Sequence, residues 1–313
     1  MNLLNNTVVS AIQLLPKSIV KRFALRYIAG EKMEDAVKLV SNLNSRRMLA
    51  TIDVLGENVT TLAEASESTR AAVNVLHTIN SNKLAANLSI KLTQFGLNID
   101  KHACYENIRS IIDLARSYRN FVRIDMEDSS TTSSTLEMYE RLRGAGYDNI
   151  GVVIQAYMRR SAQDVKRLVG MKASVRLCKG IYIEPEEIAF KRRDEIRNNY
   201  VELLNMLMDG GCRVGVATHD DVLIDAAYKA AERHGLGRSD FEFQMLYGVR
   251  SDLRDKIVAR GNLLRVYVPF GEHWYPYSIR LFKENPQARY GLNTMCVGRG
   301  QGYTVIWENI HAD

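Results

Sequence analysis

The sequence predicts an α/β fold, a (βα)8 TIM-type barrel, on three observations. Eight short apolar runs recur along its 313 residues, at Met48–Leu55, Ala86–Leu92, Phe121–Met126, Ile150–Ala156, Ser174–Lys179, Cys212–Ala217, Phe241–Leu246 and Leu263–Val268. Helical patterning separates most of them, and a regular strand–helix alternation implies parallel strands joined by right-handed crossovers. Each run also ends in residues that bind small molecules: Asp53 and Glu57, Lys91, Asp125 and Glu127, Gln155, Arg176 and Lys179, Thr218 and His219, Gln244, and Tyr267. In such a barrel the C-terminal strand ends converge on one mouth, so these scattered side chains would meet in one site.

The helices follow in order. Residues 1–46 read as two or three helices packed on the barrel, and 47–313 as the barrel with its tail. Glu57–Ile79 and Tyr105–Tyr118 carry helical spacing. Ser129–Ser134 reads as the loop after the third strand, followed by a short helix at Thr135–Arg143 that Gly144 and Gly146 stop. Ser161–Val169 is next. Pro185 suits the first turn of a long helix, Glu184–Met208, because its missing N–H costs nothing there. Asp220–His234, Ser251–Arg260 and Tyr277–Glu284 complete the set. The tail, Tyr290–Asp313, holds Gly298, Gly300 and Gly302 and reads as a plain loop, since no strand-to-helix context supports a phosphate cradle.

Composition is that of an ordinary globular chain, 46% hydrophobic and 25% charged, and long enough for a sizeable core. The net charge of +6 is spread out. Its densest cluster, Lys191-Arg192-Arg193, reads as a solvated helix face, so nucleic acid is not an expected partner. Cys104, Cys178, Cys212 and Cys296 lack zinc-type or redox-type spacing and read as reduced thiols. No segment approaches the roughly 20 apolar residues of a membrane span. The first thirty residues lack a clear cleavage pattern, and read either as amphipathic helix packing on the barrel or as a helix resting on a membrane surface.

Several side chains suggest chemistry. Lys91 ends an apolar strand, where a lysine binds carboxylates or forms Schiff bases. Asp125, Glu127 and Asp128 either bind a metal or neutralise nearby cations; no histidine is close in sequence, and no metal is expected. Arg176 suits stabilisation of negative charge on a reduced cofactor. Thr218 or Asp220 suits a helix cap, and His219 is a base, a cofactor hydrogen-bonder or a packed core histidine. Gln155 and Gln244 need polar partners, which a heterocycle edge offers. Tyr277, Arg280, Leu281 and Glu284 share one helix face. There Arg280 either clamps a carboxylate or pairs with Glu284, and Tyr267 and Tyr277 supply flat walls.

These stretches resemble the proline dehydrogenases, most closely the small monofunctional bacterial type. Val175-Arg176-Leu177-Cys178-Lys179-Gly180-Ile181-Tyr182, Ala217-Thr218-His219-Asp220, Phe241–Val249 and Tyr267-Val268-Pro269-Phe270-Gly271 carry the likeness, with Leu88–Lys91 and Asp53–Glu57 in support. The resemblance implies a distorted barrel with its last helix over the mouth and a non-covalent FAD. It implies that Asp125, Gln155, Arg176, Lys179, Thr218, His219 and Gln244 surround the flavin, with Arg176 near N5. Lys91, Tyr267, Tyr277, Arg280, Leu281 and Glu284 would line the substrate, and Lys91, Asp125, Arg176 and Tyr267 would serve the chemistry. The implied reaction moves a hydride from C5 of L-proline to the flavin and yields Δ1-pyrroline-5-carboxylate, with quinone as the electron acceptor. A cytoplasmic chain in peripheral contact with the inner membrane face is the matching location.

One position departs from the pattern. The family carries two adjacent arginines on the eighth helix, and here the second is Leu281. Losing that partner costs about 2–4 kcal/mol of carboxylate binding. A modified proline or another cyclic secondary amine is therefore the alternative substrate.

Overall fold

A computed structural model describes residues 24–56, 58–275 and 277, together with the backbone of 290–297 and 301–308. Leu25–Trp274 form one compact unit, and the tail falls in a second.

The first unit is a closed barrel of eight parallel strands in sequential order. They are β1 (Leu49–Val54), β2 (Ala86–Ile90), β3 (Val122–Ile124), β4 (Ile150–Gln155), β5 (Ser174–Cys178), β6 (Arg213–Ala217), β7 (Glu242–Leu246) and β8 (Leu264–Phe270). Pairing of β1 with β8, Thr51 opposite Tyr267 and Asp53 opposite Pro269, closes the ring. Helix α1 (Met33–Ser45) precedes β1 and buries Ala36, Val40 and Leu43. Helices α2 (Leu62–Ser81), α3 (Lys101–Ser117), α4 (Ser129–Gly144), α5 (Ser161–Gly170), α6 (Arg193–Asp209), α7 (Asp221–Arg233) and α8 (Ser251–Ala259) follow β1 to β7 in turn.

Alternation along the strands divides two environments. One set, including Ile52, Leu88, Ile124, Val152, Val175, Val214, Phe243 and Val266, joins the large buried apolar cluster with the helices. The other set includes Thr51, Asp53, Asn87, Ser89, Arg123, Asp125, Arg176, Glu242 and Gln244, all buried. Barrel interiors are more often filled with Val, Ile and Leu. Buried polar groups need partners, and these bind one another.

Several boundaries differ from the sequence reading, each for a local reason. Helix α2 starts at Leu62, not Glu57, because Thr61 caps it: the Thr61 hydroxyl accepts from the Glu64 N–H at 3.2 Å, and the Glu64 carboxylate accepts from the Thr61 N–H at 3.3 Å. The Ser/Thr stretch after β3 is not a loop. It is the first turn of α4, capped by Asp128, whose backbone oxygen accepts from the hydroxyls of Thr131 and Thr132. Helix α3 begins earlier, at Lys101, on the Asp100 cap.

The long helix is also shorter than expected. Pro185 does not open it; α6 starts at Arg193, and the preceding residues turn back on the β4 loop, with Phe190 N–H donating to the Tyr157 oxygen at 2.8 Å. The Lys191-Arg192-Arg193 triplet accordingly lies at the start of α6 rather than along it. Tail residues are not a plain loop either. Tyr290–Val297 (β9) and Gln301–Glu308 (β10) pair antiparallel, Thr294 opposite Thr304, so a strand alternation in Tyr303, Val305 and Trp307 outweighed the glycines. Most of the expected Tyr277–Glu284 helix and the residues before Ala24 lie outside the described residues.

Candidate active site

Strand geometry brings Lys91, Asp125, Arg176, Gln244 and Tyr267 together at the C-terminal end of the barrel. Lys91 follows β2, and its Nζ bridges both oxygens of Asp53, at 2.9 and 2.8 Å, with Asp125 at 3.8 Å. The Tyr267 hydroxyl, from β8, donates to Asp125 Oδ2 at 2.8 Å. Asp125 Oδ1 accepts from Ser89 Oγ at 2.7 Å and from Arg176 Nη1 at 2.5 Å. Arg176 also donates through Nε to Gln244 Oε1 at 2.5 Å, and its guanidinium carbon lies 5.2 Å from the Tyr267 ring centre. One connected set thus links six strands or strand ends, those of β1, β2, β3, β5, β7 and β8.

Burial raises the cost of every charge here, and the partners decide the outcome. For Asp125, burial pushes the carboxyl up, but Arg176 and Lys91 outweigh it and hold it below the usual carboxylate range. Asp53 goes the other way, since full burial and the Asp125 charge exceed what Lys91 returns. Below this set, Glu242 on β7 binds Arg265 on β8 at 2.7 Å, and Arg123 on β3 donates to the Val152 and Ser174 carbonyls. Burial and the Arg176 charge bring Arg123 down to about 9. Three buried carboxylates (Asp53, Asp125, Glu242) therefore face four cations (Lys91, Arg123, Arg176, Arg265).

Two glycines make room for this interior. A Cβ at Gly215 would lie 2.4 Å from the Gln244 amide nitrogen, and one at Gly151 would lie 2.3 Å from Arg123 Nη1. Neither strand position tolerates a side chain without displacing a charged or amide group.

The other expected site residues sit around the rim, each tied to a neighbouring loop. Gln155 donates to the Glu127 carbonyl at 2.8 Å and accepts from the Ile181 N–H at 3.4 Å. His219 Nε2 accepts from the Leu246 N–H at 2.9 Å, which leaves the ring proton on Nδ1. Burial, with Lys179, Arg250 and Arg254 nearby, lowers His219 to about 3, so the ring is neutral. Asp220, not Thr218, caps α7; the Thr218 hydroxyl accepts from the Asp220 N–H. Lys179 (3.3 Å) and Arg197 (2.8 Å) pair with the same Asp220, and Arg193 lies at 4.0 Å.

The acidic cluster after β3 is divided. Asp125 enters the network, Glu127 accepts from Thr93, and Asp128 caps α4. Tyr277 falls in the second unit, and Glu57, Arg280, Leu281 and Glu284 lie outside the described residues.

Comparison with known proteins decides the family. The family model described as proline dehydrogenase matches residues 36–293. The chain belongs to the proline dehydrogenase family. It is similar to proline dehydrogenase 2 of Bacillus subtilis, 35% identical over 261 residues that cover 83% of this chain and 86% of that one. It is also 33% identical over 280 residues to the proline dehydrogenase of Deinococcus radiodurans, covering 88% and 90%. Among solved structures, proline utilization A from Bdellovibrio bacteriovorus, inactivated by N-propargylglycine, matches with a TM-score of 0.81 and 26% identity. That match covers 86% of this chain and 33% of the longer one.

Within this proline dehydrogenase barrel, sequence reasoning missed Ser89, Glu242, Arg265 and Arg123. The signal existed: each is a charged or polar residue at an alternate position of an otherwise apolar strand. It was lost because a strand-end search looks only at the final residues.

Proposed function

We propose that this chain is an FAD-dependent dehydrogenase that oxidises L-proline to Δ1-pyrroline-5-carboxylate. The observation that carries the reading is the buried Lys91–Asp125–Tyr267–Arg176 set at the mouth of a barrel of this family.

The donor set fits a flavin. Among the described residues, Arg176 and Lys91 converge beside Asp125 at the mouth, and fixed cations there suit an electron-rich, anionic heterocycle. His219 is neutral with Nδ1 left to donate, and Arg176 commits Nε and Nη1 while Nη2 has no partner among the described residues. Lys179, Arg193 and Arg197 gather around Asp220, a cluster of cationic donors that suits a diphosphate. Gln155, Arg176, Lys179, Thr218, His219 and Gln244 would hold the cofactor, with Asp125 beside it. When bound, FAD supplies the hydride acceptor.

The remaining work is positioning, because hydride loss from C5 needs a neutral amine and a fixed approach. Lys91, held beside Asp53, Asp125 and Tyr267, places a fixed positive charge where this reading puts the substrate carboxylate. Tyr267, fixed through its hydroxyl, gives a flat wall. The family resemblance, rather than the described structure, is what adds Tyr277, Arg280 and Glu284 to the substrate-binding residues of this reading. By the family resemblance, this reading takes quinone as the electron acceptor and a cytoplasmic chain in peripheral membrane contact. Leu281 favours a second reading, in which a modified proline or other cyclic secondary amine is the natural substrate.

The test loads purified protein with FAD and traps the product of L-proline with an amine that condenses with pyrroline carboxylate. FAD uptake and trapped product support the reading. Protein that takes up no FAD contradicts it. N-propargylglycine, a secondary amine with a carboxylate, is expected to inactivate the loaded protein as well.

A further inference from the structure

The hydrogen bonds beneath Arg176 extend one step beyond its own neighbours. Glu242, two residues before Gln244 on β7, is 6% exposed. Its Oε1 accepts from Gln244 Nε2 at 2.6 Å and from Arg265 Nε at 2.7 Å, and its Oε2 accepts from Arg265 Nη2 at 3.0 Å. Burial pushes this carboxyl up, but Arg265 and the hydrogen bonds outweigh that and keep it below the usual range, so it stays ionised.

The two ends of an amide are nearly the same shape and opposite in hydrogen bonding. Gln244 sits between a carboxylate, which only accepts, and a guanidinium, which only donates. Glu242 therefore turns the Gln244 NH2 toward itself and the Gln244 oxygen toward Arg176. A flipped amide would set donor against donor on the Arg176 side and acceptor against acceptor on the other. The missing Cβ of Gly215 leaves the space that this orientation occupies.

We infer that Glu242, anchored by Arg265, is a positioning residue that fixes the Gln244 amide and, through it, the direction of the Arg176 guanidinium. The inference rests on the function proposed above, in which Arg176 stands beside the flavin. A freely turning Gln244 would leave Arg176 held by Asp125 alone, and its charge would be less well aimed at the reduced cofactor. If Glu242 and Arg265 only plugged the barrel, their shape would matter and their hydrogen bonding would not.

The double variant E242M/R265M keeps the bulk and removes the anchor. In the FAD-loaded protein it is expected to slow anaerobic flavin reduction by about 10- to 100-fold at saturating substrate. Substrate affinity should change by less than about threefold, the mark of an interaction realised in the transition state. The flavin midpoint potential should become more negative. Should the double variant fail to fold, Glu242→Asp keeps the charge but withdraws it by one methylene, and should show the same pattern at about three- to tenfold. Wild-type rate and potential in the variant that folds overturn the inference and leave the proposed function standing. Wild-type protein that takes up no FAD overturns both.

Discussion

Arg176 and Asp125 meet at 2.5 Å inside the barrel mouth, the first from β5 and the second from just beyond β3. Both side chains are close to fully buried, at 10% and 11% exposed. Their pairing spans the intervening β4 and ties the ends of β3 and β5 together. Tyr267 reaches the same carboxylate from β8, so Asp125 is the hub on which the cation positions depend.

Replacing Asp125 with Asn removes the charge that Arg176 and Lys91 share while keeping the shape. Breaking one member of a buried pair costs about 3–5 kcal/mol. Urea unfolding of the cofactor-free protein should show a loss of that order, and FAD uptake should weaken with it. A variant as stable as the wild type would mean that Arg176 finds another partner.

The strand glycines give a second prediction. A Cβ at Gly151 meets the Ser174 carbonyl oxygen at 2.6 Å as well as Arg123, and a backbone oxygen in a barrel strand has nowhere to move. Gly151→Ala should destabilise by about 1–3 kcal/mol. At Gly144, near the end of α4, a Cβ meets nothing within 4 Å, so Gly144→Ala should stay within about 0.5 kcal/mol of the wild type. Thermal unfolding of the two variants side by side checks both.

His219 sets a pH dependence. Its pKa falls from 6.5 to about 3 in the folded chain, so between those values the unfolded chain binds a proton that the folded one does not. Its contribution is complete above about pH 6.5 and is lost as pH falls toward 3. Between about pH 6.5 and 5, where carboxylates add little, His219→Gln should flatten the fall of stability with pH, by up to about one proton. Unchanged pH curves for wild type and variant would show that this ring is not held neutral.

Leu281 gives a prediction about substrate choice. On the proposed reading, Leu281→Arg should tighten L-proline binding by about 30- to 1000-fold if the wild-type site lacks a carboxylate partner there. Titration of the loaded protein measures it. No gain would show that Lys91 and Arg280 already suffice.

The strand ends were legible in the sequence because a barrel turns chain position into place: once eight strands are recognised, Lys91, Asp125, Arg176, Gln244 and Tyr267 must share one mouth. What the sequence hid was the pairing. Nothing in the order Asp125-Met126-Glu127-Asp128 says that the first acid faces Arg176, the second Thr93 and the third a helix N-terminus. Helix starts were misjudged where a cap lies inside a polar stretch, as at Asp128 and Thr61, since Ser and Thr favour both loops and first turns. The inner charged layer was missed because Arg123 and Glu242 lie within strands, where apolar neighbours dominate the pattern.

Anaerobic mixing of the FAD-loaded protein with L-proline, hydroxyproline, pipecolate and carboxylate-masked prolines tests the central claim most directly. Loss of the oxidised flavin colour is the readout. Rapid bleaching by L-proline or by one of the other cyclic secondary amines is the expected result, with the fastest member naming the substrate. A flavin that stays oxidised with every member of the panel would contradict the account.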